Sequence, residues 1–282
     1  MKSIGIYGGA FLLSALVLSS CGSSRGAGNS RNPEQGSPEW IIQMYFTRRA
    51  FPEVEHYTIG ELRNDNHATA GSGLSDSARV TWRNLQEDPT RAVYAVATTD
   101  RSYHSDTYAF FVRAGDGWKL NAIRTLGLPG VFYRVMQQLE GEVNLPDSLA
   151  SRLANMRLAV NSDDSLRSYF RANAEEFDML RNILGSTPDI IAVTSNGEAD
   201  PAITSNSGTI FRITALLRKL RIHSIRRAAE GSGAFYLTIH NESDHAVGYL
   251  SLPEGAAPPG MTPSRFIYVE EIVRGWYIYK SI

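Results

Sequence analysis

Only one cysteine, Cys21, occurs among the 282 residues, so the chain cannot form an internal disulfide framework. The longest apolar run, residues 4–18, is short for a membrane-spanning helix, which needs about 20 residues. Basic and acidic side chains number 28 and 29, so no overall charge attracts nucleic acid. The sequence contains no Walker phosphate-binding loop, no dinucleotide-binding glycine motif and no H-E-x-x-H zinc motif. We therefore expect no cofactor, no metal and no nucleic-acid partner.

The start of the chain has the order of an export signal, with Lys2 as its positive charge and the apolar run after it. The sequence LSSC at residues 18–21 then resembles the lipobox of bacterial lipoproteins. That resemblance implies that a peptidase removes residues 1–20 and that the Cys21 thiol carries a diacylglyceryl group. It also implies an acylated new amino terminus, usually with palmitate, and two or three acyl chains hold a protein firmly to a membrane. The alternative is an ordinary cleaved signal in which Cys21 has no role.

Residue 22 indicates the membrane to which the predicted lipoprotein is directed. It is Gly22, whereas an aspartate at this place retains lipoproteins in the inner membrane of well-studied enterobacteria. We therefore expect a lipid-anchored protein of the cell envelope, at the outer membrane, facing either the periplasm or the cell surface. Residues 21–38 contain no bulky apolar side chain and predict a flexible tether to the folded body.

The remainder of the chain predicts an α+β fold in two modules, residues 39–130 and 131–282. In each module helices precede an antiparallel β-meander, and glycine-containing turns separate several of the strands. The alternation of Trp118, Leu120 and Ala122 with polar residues predicts a first sheet with one solvent-exposed face. An apolar stripe through residues 162–185 predicts one helix that ends at Gly185, with Asn173 on the stripe.

Several segments of the mature chain are similar to a module that recurs in uncharacterised exported bacterial proteins. They are VGYL at 247–250, PGMTPSRFI at 259–267, WYIYK at 276–280, VYAVATT at 93–99 and AFFVRAGDGWKLNAIRTLGLPG at 109–130. The resemblance implies membership of a family without an assigned activity. The first module also resembles the cone-shaped nuclear transport factor two-like fold, which hosts enzymes, ligand pockets and adaptors alike.

Two groups of side chains are candidates for partner binding. A basic stretch, residues 212–227, contains no acidic residue and suits either a solvated helix face or docking to anionic lipid or an acidic partner. Aromatic residues of the C-terminal strands, beside a basic loop residue, suit either core packing or a recognition surface. The predicted partner-binding residues are Arg218, Lys219, Arg221, Arg265, Tyr249 and Tyr277.

Two further clusters have simpler explanations. Residues 240–245, HNESDH, resemble a metal site in composition, but the same residues are typical of a hairpin turn, which we favour. Asp163 and Asp164 follow Ser162 at a predicted helix start, where capping explains them. Neither cluster predicts catalysis.

The sequence thus predicts a membrane-anchored envelope lipoprotein with a binding or scaffolding role and no readable enzymatic activity. Two alternatives remain open. One is a small-ligand carrier or an enzyme with a pocket in the first module, and the other is a protein that protects against a toxin.

Overall fold

The computed structural model describes residues 33–48, 50–64, 69–101, 103–115, 117–200, 207–228, 233–242 and 245–282. The predicted signal peptide, Cys21 and most of the predicted tether lie outside these residues. The described residues form an α+β fold with two antiparallel sheets, which confirms the predicted fold class.

The α-helices of the described residues are α1 (Pro38–Thr47), α2 (Val54–Tyr57), α3 (Gly130–Gly141), α4 (Asp147–Ala159), α5 (Asp163–Ala172), α6 (Ala174–Gly185) and α7 (Ser207–Lys219). The strands are β1 (Arg79–Glu87), β2 (Arg91–Asp100), β3 (Tyr103–Ala114), β4 (Gly117–Arg124), β5 (Ala192–Thr194), β6 (Ser224–Arg227), β7 (Phe235–Glu242), β8 (His245–Ser251), β9 (Phe266–Val273) and β10 (Trp276–Ser281). Short 3₁₀ turns occupy Gly60–Asn64 and Ala70–Gly73.

The first sheet is a meander in the order β1-β2-β3-β4, and it lies between two apolar layers. One face, which includes Tyr94 and Phe111, packs against Ile41 and Ile42 of α1. Ser37 fixes the start of that helix because its hydroxyl accepts a hydrogen bond from the Trp40 backbone N–H at 3.2 Å. The prediction of a solvent-exposed face is therefore wrong for the central strands β2 and β3, which are buried on both faces.

The opposite face of the first sheet belongs to the large core that also fills the second half of the chain. Tyr108 and Phe110 of β3 join the same buried cluster as Trp276 and Ile278 of β10. The helices α3 to α7 contribute to this cluster as well. The two sheets consequently share this apolar cluster, in addition to the cluster that the first sheet forms with α1.

The second sheet has the order β5-β6-β7-β8-β10-β9. The last strand, β10, pairs with β8 on one side and β9 on the other, so this sheet departs from a simple meander at its final two strands. This order brings β10 into the interior of the sheet and leaves β9 at its edge. The short strand β5 has no counterpart in the sequence prediction.

The helix predicted through residues 162–185 is divided into α5 and α6 at Asn173. The backbone of Asn173 leaves the helical region, with φ −124°, and its side-chain amide donates to the Tyr169 carbonyl oxygen at 2.8 Å. The break allows Phe170 of α5 and Phe177 of α6 to stack with ring centroids 4.6 Å apart. The apolar stripe is buried as predicted, but its continuity in the sequence does not reveal the break.

Gly248 marks the closest approach of two strands in the second sheet. A Cβ atom at this position would lie 2.1 Å from the backbone oxygen of Leu237 on β7, which is far inside van der Waals contact. The pairing of β7 with β8 also changes register between Thr238 and His240, beside this contact. The strand pair thus depends on a residue without a side chain.

We predict that Gly248→Ala lowers the free energy of unfolding by about 1–3 kcal/mol, because overpacking forces the strands apart. Urea denaturation of the two proteins measures this difference. Gly141→Ala is the matched control, since a Cβ atom added at the end of α3 would have no neighbour within 4 Å. An equal loss of stability in both variants would contradict the steric explanation.

Candidate functional site

A buried ion pair joins the start of α5 to the end of β10. Ser162 caps α5 by accepting a hydrogen bond from the Ser165 backbone N–H, which places Asp163 in the first helical turn. The Lys280 ammonium lies 2.8 Å from Asp163 Oδ1. Asp163 and Lys280 are 1% and 4% exposed, respectively, so solvent screens their attraction very little.

Two tyrosines complete the surroundings of this pair. The Tyr108 hydroxyl donates to Asp163 Oδ1 at 2.9 Å. The Tyr108 and Tyr268 rings stack with centroids 4.9 Å apart, and the Lys280 ammonium lies 5.6 and 5.8 Å from the two centroids. The Asp163 carboxylate and the two aromatic rings together stabilise the Lys280 charge in place of the water it has lost.

A second ionic contact links β1 of the first sheet to β9 of the second. Arg83 donates to both carboxylate oxygens of Glu270, with its Nε at 3.1 and 3.2 Å and one terminal nitrogen at 2.7 Å. Arg167 of α5 also pairs with Glu270, and Arg83 donates to the Tyr268 hydroxyl at 3.1 Å. We call Arg83, Asp163, Arg167, Glu270 and Lys280, with the two tyrosines, the inter-sheet charge cluster.

The electrostatics of the inter-sheet charge cluster shift the pKa values of Tyr108, Tyr268 and Arg83. Burial, reinforced by the Asp163 carboxylate, raises the pKa of both Tyr108 and Tyr268 well above the ordinary value. Burial opposes the charge of Arg83, but hydrogen bonding to Glu270 prevails and raises the pKa of that guanidinium. The tyrosines therefore stay neutral donors and Arg83 stays charged over the whole physiological range.

A cleft of about 350 Å³ opens above this cluster, and we call it the Lys280 cleft. Its walls come from β3, from the loop before α3, from the turn before α5 and from β10. Its lining includes Tyr103, His104, Asp106, Tyr133, Val160 and Lys280. The cleft therefore lies where the two sheets and the helical layer meet.

Three large side chains are exposed at the rim of the Lys280 cleft. Tyr103, Tyr133 and Val160 are 58%, 42% and 38% exposed although each is a large apolar or aromatic residue. They come from β3, α3 and the end of α4, respectively. Three such side chains around one concave site are typical of a surface that a partner or ligand covers.

The polar groups of the cleft are already engaged within the protein. Asp106 accepts from the Asp163 backbone N–H at 2.8 Å and lies 3.1 Å from His104 Nε2. The other ring nitrogen of His104 lies 3.2 Å from the Thr99 hydroxyl. Both ring nitrogens of His104 therefore have partners within the protein, and these contacts fix the orientation of the imidazole ring.

The predicted basic residues of α7 lie apart from this cleft. Arg218 donates its Nε to the Ser195 carbonyl oxygen at 2.8 Å and lines a separate cavity. Lys219 pairs with Glu176 at 2.5 Å. Arg221 lies over the ring of a tyrosine in α5. The basic stretch is thus distributed over several contacts instead of forming one patch.

The aromatic residues proposed for recognition divide between surface and core. Arg265 and Phe266 line a groove of about 600 Å³ on the outer face of the second sheet, and Tyr277 is half-buried on β10. Tyr249 is fully buried, and its hydroxyl donates to the Leu166 carbonyl oxygen at 2.9 Å. The prediction of Tyr249 as a surface residue is therefore wrong, because β8 directs its side chain into the core toward α5.

Sequence reasoning missed the inter-sheet charge cluster as a site. Asp163 was assigned to helix capping and Glu270 to a strand, and Arg83 and Lys280 were not singled out. The available signal was a lysine within the otherwise apolar strand WYIYK, since a charge at a buried position requires a partner. In the turn predicted at 240–245, residues 243 and 244 lie outside the described residues, and the described parts of the chain hold no group of three metal-ligating side chains.

No protein-family profile, curated protein or solved structure matches this chain. The resemblances seen at residues 18–21 and in the C-terminal segments therefore stay predictions. Among the helices of the described residues, none has the length and apolar character needed to cross a bilayer.

We predict that Lys280→Met lowers the free energy of unfolding by about 3–5 kcal/mol, because Asp163 keeps a buried charge without its nearest cation. Asp163→Asn likewise leaves the buried Lys280 charge without its carboxylate partner. The double variant loses less than the sum of the two single losses, and urea denaturation of all four proteins measures this coupling.

Lys219→Met is the matched control, since its pair with Glu176 is exposed and contributes about 0–1 kcal/mol. Additive losses in the double variant, or a loss at Lys280 no larger than at Lys219, would show that the buried pair is not a coupled unit.

Proposed function

We propose that this protein is a lipid-anchored component of the bacterial envelope that binds a partner protein through the Lys280 cleft. The observation that carries the binding role is the apolar rim of Tyr103, Tyr133 and Val160 around a recessed, charged floor. Aromatic anchors around a water-excluding centre are typical of the few interface residues that dominate binding energy.

The anchor rests on the sequence at residues 18–21 and on the apolar run before it. A single cysteine that directly follows Leu-Ser-Ser has a ready role as an acylated amino terminus. Attachment at residue 21 leaves the whole described body on one side of the membrane surface. A binding role at the envelope is compatible with that arrangement.

Binding is favoured over catalysis by the way the cleft is built. Lys280 is held by Asp163 and by two aromatic rings, and both nitrogens of His104 are used inside the protein. The Lys280 ammonium therefore offers little accessible surface to a substrate. The charged groups here hold the cleft in shape and leave recognition to the apolar rim.

The alternative of a ligand pocket within the first module receives no support from the packing of its sheet. Side chains of α1 fill one face and side chains of the shared core fill the other. The space that a curved sheet offers to a ligand is thus taken up by the described core residues.

The anchor is tested by metabolic labelling with palmitate in the native host. We expect the full-length protein to incorporate label and to require detergent for release from membranes, because acylated Cys21 holds it there. Cys21→Ala is expected to lose both properties. Label in the variant, or release of the unaltered protein by salt alone, would refute the lipid anchor.

The partner site is tested by photo-crosslinking in living cells with an aromatic photoreactive residue at position 133. We expect a discrete adduct whose yield falls several-fold when Tyr103 is replaced by alanine, since rim truncation removes contact area. The matched control is the same residue at position 211, where Phe211 is 75% exposed on α7, away from the cleft.

Mass spectrometry identifies the adduct, and thermal unfolding confirms that each variant is folded. Equal adducts from positions 133 and 211 would mean that labelling follows exposure alone. The absence of any adduct at position 133 would overturn the proposed site.

A further inference from the structure

Another cavity, of about 650 Å³, shares no lining residue with the Lys280 cleft. Its walls are one face of α4, the turn after β5, the end of α7 and the strand β7. On α4 the residues Ser148, Arg152 and Asn155 follow at helical spacing, so one helix face supplies much of the wall. We call this the Arg218 cavity.

The Arg218 cavity is lined by cationic side chains that the described chain does not neutralise. Arg152 and Arg218 have no acidic partner within the described residues, whereas the neighbouring Lys219 pairs with Glu176. His223 adds an imidazole to the same wall, and Asp147 is the one carboxylate among the described lining residues. With neutral histidines this lining therefore carries an excess positive charge.

The guanidinium of Arg218 is held in place for recognition. Its Nε donates to the Ser195 carbonyl oxygen at 2.8 Å, which fixes the plane of the group. Its terminal nitrogens make no hydrogen bond to the described residues and can donate to a ligand. A planar guanidinium with donors in a fixed geometry is well suited to two oxygens of a carboxylate or phosphate.

The same cavity contains a buried polar atom that requires a partner. The side-chain oxygen of Asn155 is buried and accepts no hydrogen bond from the described residues. A buried amide oxygen left in this state costs free energy, and a ligand donor in the cavity relieves that cost once the Asn155 side chain rotates to expose the oxygen. A hydroxyl group is such a donor, and an oxyanion alone is not.

We propose that the Arg218 cavity binds a polyhydroxylated small molecule that carries an oxyanion, such as a sugar phosphate or an acidic sugar. Arg152, Arg218 and His223 recognise the anionic group, and Asn155 accepts a hydrogen bond from a ligand hydroxyl. The cavity volume lies within the range of about 300–1,000 Å³ that is typical of small-molecule sites. This site is independent of the proposed partner site.

The test is isothermal titration of the full-length protein in detergent with glucose 6-phosphate, glucuronate and glucose. We expect glucose 6-phosphate or glucuronate to bind with a dissociation constant below about 1 mM, and glucose to bind at least about tenfold more weakly. Binding of glucose 6-phosphate alone, of glucuronate alone, or of both shows which oxyanion the site accepts. Equal binding of glucose, or no binding of either anion, would overturn the proposal.

Variants locate the binding. Arg152→Gln breaks no ion pair within the described chain, so the variant should fold normally. We expect it to lower the affinity for the anion about tenfold. Lys219→Gln removes the same charge next to Arg218 but outside the cavity, and it should leave the affinity unchanged. Equal weakening by both variants would mean that diffuse surface charge attracts the anion, and the site would be rejected.

Asn155→Leu separates the role of the hydroxyl from that of the charge. It should weaken binding of the preferred hydroxylated anion and leave the binding of sulfate unchanged, since sulfate carries no proton to donate to the Asn155 oxygen. Equal losses for both probes would refute recognition of the hydroxyl, and thermal unfolding of each variant excludes misfolding as the cause.

Discussion

The buried pair of Asp163 and Lys280 constrains the arrangement of everything around it. Neither charge is exposed to water, so each must remain within hydrogen-bond distance of the other, and this fixes the start of α5 against β10. Tyr108 extends the same constraint to β3 of the first sheet. Because Arg83 and Glu270 join the sheets at a second point, the two halves of the chain have little freedom to rotate. The shared apolar core favours contact between the halves, and the charges select one geometry for it.

The two concave sites differ in how far their charges are satisfied, and this difference indicates what each can bind. In the Lys280 cleft the charged floor is compensated internally, so a partner gains little by bringing charge and more by covering Tyr103 and Tyr133. In the Arg218 cavity the arginines have no acidic partner in the described chain, so a ligand with negative charge gains charge-assisted hydrogen bonds there. The cleft therefore suits apolar contact, and the cavity suits a small anion.

Local sequence patterns were sufficient for the class of fold and for most strands and helices. Serine caps, glycine turns and alternating apolar residues report on neighbouring positions. For that reason the helix start after Ser162 and the strand through Trp118, Leu120 and Ala122 are observed where the sequence predicts them. The inter-sheet charge cluster could not be predicted in this way, because its members are separated by as many as 197 positions, from Arg83 to Lys280. Neither the insertion of β10 beside β8 nor the burial of Tyr249 has a local signature, since both follow from the pairing of distant strands.

An ion pair buried to this degree is not an efficient source of stability, because removing two charges from water offsets much of what their attraction contributes. An apolar pair of similar volume would fill the same space at lower cost. What an apolar pair cannot supply is direction. Lys280 must face the Asp163 oxygen that also accepts from Tyr108, and Tyr103 of the rim lies on the same strand as Tyr108. The charge cluster is thus best understood as a device for geometric specificity, since the apolar rim forms one surface only while the two sheets keep a single relative orientation.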